Sequence, residues 1–357
     1  MDDRKQLAVS TYSMKCRLLT LAVILLAASC GEEYTPPSPP PPPPPPEQEN
    51  PENGGDGGEE LETPFKDVTL LGEFTEDFDE AASFLRFAPK VNGGEDFRYY
   101  SAHPSLSARN TTVMMMRIDP TDGEGWGKGP QVITKDYTFY GSYSARIRIP
   151  DIRKAQKNIG AAAGLYVHDT DEKFGRSGID IELRIADPTK VYLAAWTGKE
   201  GELNRISRTI DLAKGKVIDC SYGTGTTEKG KLTDDGNKPA SIAAVSGFDA
   251  SAQFYIYGFD WYPDRLIWWI RLNENSDRVV LWEYEGTELF PDTYAPEGIP
   301  VLPAHNLTSF WHSSTRPAEG MAKATEAPKY PFEMEIDRMS YEPFDDLIKE
   351  WKDNASR

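Results

Sequence analysis

The chain has 357 residues, 39% of them hydrophobic and 27% charged, and a formal net charge of -18. That balance excludes a fibrous or wholly disordered chain and suits one large or two ordinary domains with a sizeable core. The charge argues against nucleic acid or an anionic membrane surface as partner and favours a neutral ligand.

In chain order, a short basic stretch, Met14-Lys15-Cys16-Arg17, leads into the apolar run Leu18 to Ala28 and then Ser29-Cys30-Gly31. About eleven apolar residues are too few to span a bilayer comfortably and match an export signal. The small residues before Cys30 resemble the lipobox of bacterial lipoproteins, although Ala27 stands where leucine is commoner. The resemblance implies a signal peptide over residues 1–30 with lipid on Cys30, and Met14 is an alternative start. A cleaved signal without lipid is the competing reading.

Residues 31–64 are expected to be a tether. Ten of the eleven residues from Pro36 to Pro46 are proline, a polyproline II spacer of about 3.1 Å per residue, and Gly54-Gly55-Asp56-Gly57-Gly58 adds a flexible joint. Glu32 and Glu33 resemble the acidic surface-export signals of Bacteroidetes lipoproteins, which implies an outer-membrane anchor with the domain facing outward. With Cys16 in the signal and Cys30 lipidated, Cys220 stands alone, so an internal disulfide is excluded from the mature chain.

From residue 65 onward, short runs of β-branched and aromatic residues alternate with Gly, Pro, Asn and Asp. Tyr137 to Ile149, Ile159 to Val167, Ile179 to Ile185, Val191 to Trp196, Phe254 to Trp261, Leu266 to Leu272, Val279 to Tyr284, Leu307 to His312 and Phe332 to Tyr341 all read as strands. A single β-sandwich over 65–345 follows, with long loops and no internal repeat. The tail, 346–357, carries Leu347 and Trp351 at helical spacing, enough for one or two turns. Pro263-Asp264 should turn a hairpin between two aromatic strands.

The most informative strand is Gly178-Ile179-Asp180-Ile181-Glu182-Leu183-Arg184. Side chains alternate across a strand, so Ile179, Ile181 and Leu183 face a core while Asp180, Glu182 and Arg184 share the other face. Carboxylates at i and i+2 have Cα atoms about 6.7 Å apart at strand rise. That is close to the separation of about 5 to 5.5 Å used by retaining glycosidases. A half-buried strand with solvated acids is the plainer alternative. By the same alternation Gly164, Tyr166 and His168 share one face, where Tyr166 and His168 could line a cleft; a polar residue at a strand end is the other reading of His168. Trp196, Trp311 and Trp126 are candidates for stacking on sugar rings, with core packing competing for each. Arg184 would hold Glu182 ionised if the two touch.

These segments, taken in order, resemble glycoside hydrolase family 16, the laminarinase, lichenase and agarase group. The resemblance rests on Phe74-Thr75-Glu76-Asp77-Phe78, Tyr140 to Ile147, the hairpin from Tyr257 to Trp269, and Phe332 to Tyr341. It implies a concanavalin A-like β-jelly roll of two antiparallel sheets with a concave cleft. It also implies a catalytic strand reading Glu-x-Asp-x-Glu, which places the assisting acid at Asp180, the acid/base at Glu182 and the nucleophile at Gly178. Glycine has no group to form the covalent glycosyl intermediate. Ser144 and Arg271-Leu272-Asn273 also depart from the family pattern. The family's structural calcium would find one matching carboxylate, Asp337; otherwise no metal or cofactor is expected.

The expectation is a monomeric, lipid-anchored surface protein that binds a neutral β-linked polysaccharide and is impaired as a catalyst. The alternatives are an active retaining endo-β-glycosidase using Asp180, an inverting arrangement in which Asp187 or Glu172 partners Glu182, and an adhesive or structural protein whose cleft is filled by the segment from Lys216 to Ser251.

Overall fold

The structure, a computed structural model, describes residues 68–79, 82–88, 99–104, 112–225, 227–232, 241–315 and 324–355. The signal, Cys30 and the tether lie outside them.

Among the described residues the strands are β1 (Phe74–Glu76), β2 (Leu85–Ala88), β3 (Tyr99–Pro104), β4 (Thr112–Ile118), β5 (Gln131–Thr134) and β6 (Gly141–Arg148). They continue with β7 (Ala161–Asp171), β8 (Gly175–Arg184), β9 (Lys190–Thr197), β10 (Asn204–Asp211), β11 (Lys216–Thr224) and β12 (Thr227–Lys231). The last are β13 (Tyr255–Trp261), β14 (Arg265–Arg271), β15 (Val279–Glu285), β16 (His305–His312) and β17 (Phe332–Pro343), before the helix α1 (Asp345–Ala355).

They form two antiparallel sheets. One runs β15-β14-β13-β6-β17-β4-β3 with β1 added beside β17, and the other runs β12-β11-β10-β9-β8-β7-β16-β5-β2. Consecutive hairpins build β7 to β12, whereas β16 returns from a long excursion to pair with both β7 and β5. The expected β-sandwich is therefore present.

The inner faces of both sheets supply one core. Ile179, Ile181 and Leu183 from β8 meet Tyr257, Phe259 and Trp268 from the facing sheet, all at most 1% exposed. Burying side chains of this size contributes roughly 1.5 to 3 kcal/mol each. The Pro-Asp turn closes β13 onto β14, with the Tyr262 N–H donating to Arg265 O at 3.0 Å. Trp268 stacks on Trp282 at 4.7 Å between centroids, and its indole N–H donates to the backbone oxygen of Asp180 at 3.2 Å. The opposite sheet thus holds the acidic strand in place. The tail forms α1, whose Trp351 packs edge-on against Phe139.

Two expectations change. His168 is interior to β7, which runs on to Asp171, so it is not at a strand end. Among the described residues, the stretch after Lys216 adds β11 and β12 to the sheet edge rather than filling a cleft, and Val245, Phe248 and Ala250 then enter the core.

Candidate functional site

The outward face of the nine-stranded sheet is ordered by register into cross-strand rows. Trp311, Ala162 and Arg184 form one; Ser309, Gly164, Glu182, Tyr192 and Thr209 the next. Leu307, Tyr166, Asp180, Ala194 and Ser207 follow, and His305, His168, Gly178, Trp196 and Arg205 complete the set. Successive rows lie about 6.7 Å apart, so the four span roughly 20 Å. The two acids occupy the middle rows.

Neither acid is a solvated surface group. Glu182 is 8% exposed, and its Oε2 lies 2.8 Å from Arg184 Nη1, which is itself 2% exposed and sits 4.6 Å above the Tyr192 ring. Tyr166 donates its hydroxyl to Glu182 Oε1 at 3.3 Å. Burial, reinforced by the charges of Glu182 and Asp180, holds the Tyr166 phenol far above its ordinary range, so it stays protonated and remains a donor. The anticipated contact between Arg184 and Glu182 is therefore present, and Tyr166 joins them from β7.

Asp180 is held by a different residue. Trp196 Nε1 donates to Asp180 Oδ2 at 2.6 Å, and the Arg205 guanidinium lies 5.7 Å from the Trp196 ring centroid. Trp196 is the cross-strand partner of Gly178. A Cβ placed on Gly178 would meet Trp196 Cβ at 3.3 Å and Cδ1 at 3.7 Å. The Gly178 backbone has no positive φ that demands glycine. The side chain of Trp196 therefore stands next to the position where the carboxylate is absent, with Arg176 Cδ 3.8 Å from the same Cβ.

Arg176, also on the outward face of β8, is drawn below its usual pKa by burial while Asp180 and Glu200 support its charge. With Arg184 it brackets the two acids on one strand, giving a charge-balanced stripe. His168 is pushed down to about 4 by burial, with Arg176 and His305 adding to the effect, and is neutral at neutral pH.

The three proposed stacking tryptophans do not come together. Trp126 and Trp311 pack on each other at 5.3 Å between centroids, beside Ala162, and Trp311 is 9% exposed. Trp196 lies at the opposite end of the row set. Between them Tyr166, Leu307 and Ile133 form a small apolar patch.

The inverting alternative fails on geometry for Glu172, which sits on the turn beyond β7, eight residues past Gly164, the cross-strand partner of Glu182, or roughly 27 Å at strand rise. Asp187 is engaged at the β8–β9 turn: partial burial opposes its ionisation, but hydrogen bonds from Lys190 and Thr189 hold its carboxyl below the ordinary value. The calcium expectation meets an occupied carboxylate, since Arg146 Nη1 lies 2.8 Å from Asp337 Oδ2. No group of three or more His, Cys, Asp and Glu is arranged to hold a metal among the described residues, and those around Asp337 do not fit calcium.

Arg176, Arg205, Ser207 and Tyr192 were missed by sequence reasoning. Arg176 alone carried a readable signal, since Arg176-x-Gly178-x-Asp180-x-Glu182-x-Arg184 continues the same alternation.

No family model and no curated protein sequence matches the chain. Among solved structures it is similar to a prokaryotic β-1,3-1,4-glucanase (lichenase) derived from a mouse hindgut metagenome, at 17% identity, TM-score 0.45, over 77% of this chain and 100% of that one. It is also similar to the Bacillus licheniformis β-glucanase, at 15% identity, TM-score 0.45, over 77% and 99%. A third is a glycoside hydrolase family 16 endo-glucanase from Bacteroides ovatus, at 13% identity, TM-score 0.44, over 75% and 99%. The likeness concerns the course of the sandwich.

Proposed function

We propose that the chain binds a neutral β-linked polysaccharide across the outward face of its nine-stranded sheet and holds it without cleaving it. The observation that carries this reading is Trp196 packed beside Gly178 with its N–H on Asp180. A retaining displacement needs a carboxylate free to attack the anomeric carbon. Gly178 supplies none, and the next outward-facing acid along β8, Asp180, is already bonded to an indole. Glu182, in turn, has Oε2 2.8 Å from the Arg184 guanidinium and Oε1 3.3 Å from the Tyr166 hydroxyl, so both of its oxygens are engaged. Carboxylates fixed in this way accept hydrogen bonds from sugar hydroxyls, and such charge-assisted bonds give orientation and specificity.

The signal resemblance, Cys30 and the proline-rich spacer support a lipid-anchored protein on the outer membrane, with the sandwich held outward. Capture of a glycan at the surface is the role that suits such a tether.

Migration of the full-length protein through native gels containing β-glucans or galactans tests the reading. Retardation without product, weakened but not abolished by Glu182→Gln, supports binding. Product that disappears with Glu182→Gln would establish an active glycosidase instead.

A further inference from the structure

The outward face of the other sheet carries a second feature. Its register sets Ser340, Ser144, Gly258 and Trp269 in one cross-strand row. The small side chains of Ser340 and Ser144 leave a trough across β17 and β6, walled on the β13 side by the Trp269 indole. A Cβ on Gly258 would lie 2.3 Å from Trp269 Cζ2, because the indole lies flat across that glycine to reach Asp260 at 3.1 Å. The flanking row on one side brings Arg338 and Arg271 to the edge, and the row on the other brings Glu342 and Ser142. The result is a pocket of about 250 Å³.

Three of the six charged side chains lining it take part in ion pairs. Arg278 pairs with Asp260 at 2.8 Å and lies 4.0 Å from the Trp269 ring centroid, and Arg338 pairs with Glu274. Arg271 differs. Its Nε is buried, out of a ligand's reach and without a hydrogen-bond partner among the described residues, which leaves Nη1 and Nη2 as the donors Arg271 can offer to the pocket it lines. Three guanidiniums and three carboxylates line the pocket together with serine hydroxyls. Such a surface donates and accepts in equal measure, and the protein's charge of -18 repels free anions.

We propose that this trough is a second binding site, for a neutral polyhydroxyl ligand of monosaccharide size, with Arg271 donating to a ligand hydroxyl. The site lies on the sheet opposite the acidic strand and stands independently of the reading of that strand.

Saturation-transfer NMR on the full-length protein with methyl β-glucoside or methyl β-galactoside tests it, with sodium sulfate as the anionic comparison. At least one glycoside should give a signal that persists in a Glu182→Gln/Trp196→Ala variant and falls at least fivefold in Ser144→Leu, which fills the trough. Arg271→Met should weaken it similarly and carries the test if Ser144→Leu does not fold. A glycoside signal indifferent to both trough variants overturns the proposal. So does no signal from either glycoside in the Glu182→Gln/Trp196→Ala variant, or binding of sulfate alone. None of these results bears on glycan retention by the acidic face, which is read in the gel assay.

Discussion

Trp196 donates its indole N–H to Asp180 Oδ2 at 2.6 Å while its side chain lies against Gly178, so one residue both covers the empty nucleophile position and engages the neighbouring acid. Trp196→Phe keeps an aromatic ring beside Gly178 and removes the donor to Asp180 Oδ2. Retention of a bound β-glucan, measured by affinity gel, should weaken by about tenfold, equivalent to about 1.4 kcal/mol. Unchanged retention would show that this hydrogen bond does not position the ligand.

Restoring the missing acid alone should not restore cleavage. Gly178→Glu requires only a shift of a few tenths of an ångström at Trp196 Cβ, so the variant should fold, but its carboxylate emerges beside an indole. Reducing ends should rise clearly above background only in Gly178→Glu/Trp196→Ala, with Trp196→Ala as control. Equal activity in the single and double variants would show that Trp196 does not obstruct the position.

Arg184 and Glu182 form a buried ion pair, and removing one member of such a pair strands the other. Arg184→Met should lower stability by about 3 kcal/mol, read by urea unfolding. The double variant Arg184→Met/Glu182→Gln should recover part of that loss, and a loss no smaller in the double variant would argue against coupling between the two.

His168 has a folded-state pKa of about 4, below the ordinary value of 6.5, so the unfolded chain binds its proton first as pH falls. Its contribution is fully present above pH 6.5 and is lost between there and pH 4, by up to about 3 kcal/mol at 1.36 kcal/mol per unit. The stability difference between wild type and His168→Gln should therefore narrow or reverse as pH falls through that window. A difference constant from pH 7 to pH 4 would place the His168 proton elsewhere.

The alternation in residues 179–184 was enough to separate core from outward face on β8, because both faces are chemically distinct there. It also made the Arg184–Glu182 contact readable as a condition. Trp196 was legible as an aromatic on the right face, but its role was not, since only the β8–β9 register brings it opposite Gly178. Strand β10 escaped notice for a physical reason: Arg208 points inward among the core side chains, 1% exposed and 5.1 Å from the Trp282 ring centroid, so polar residues appear on both faces and mask the period of two. The pairing of Trp126 with Trp311 and the trough over Ser144 arise from segments far apart in sequence, which local pattern does not record.

The most direct test of the account is a time course of reducing-end release by the unmodified full-length protein from neutral β-linked polysaccharides that it retains. Binding without cleavage requires retention with no product above a heat-denatured control. Turnover in the ordinary enzymatic range of roughly 1 to 1,000 per second would contradict it.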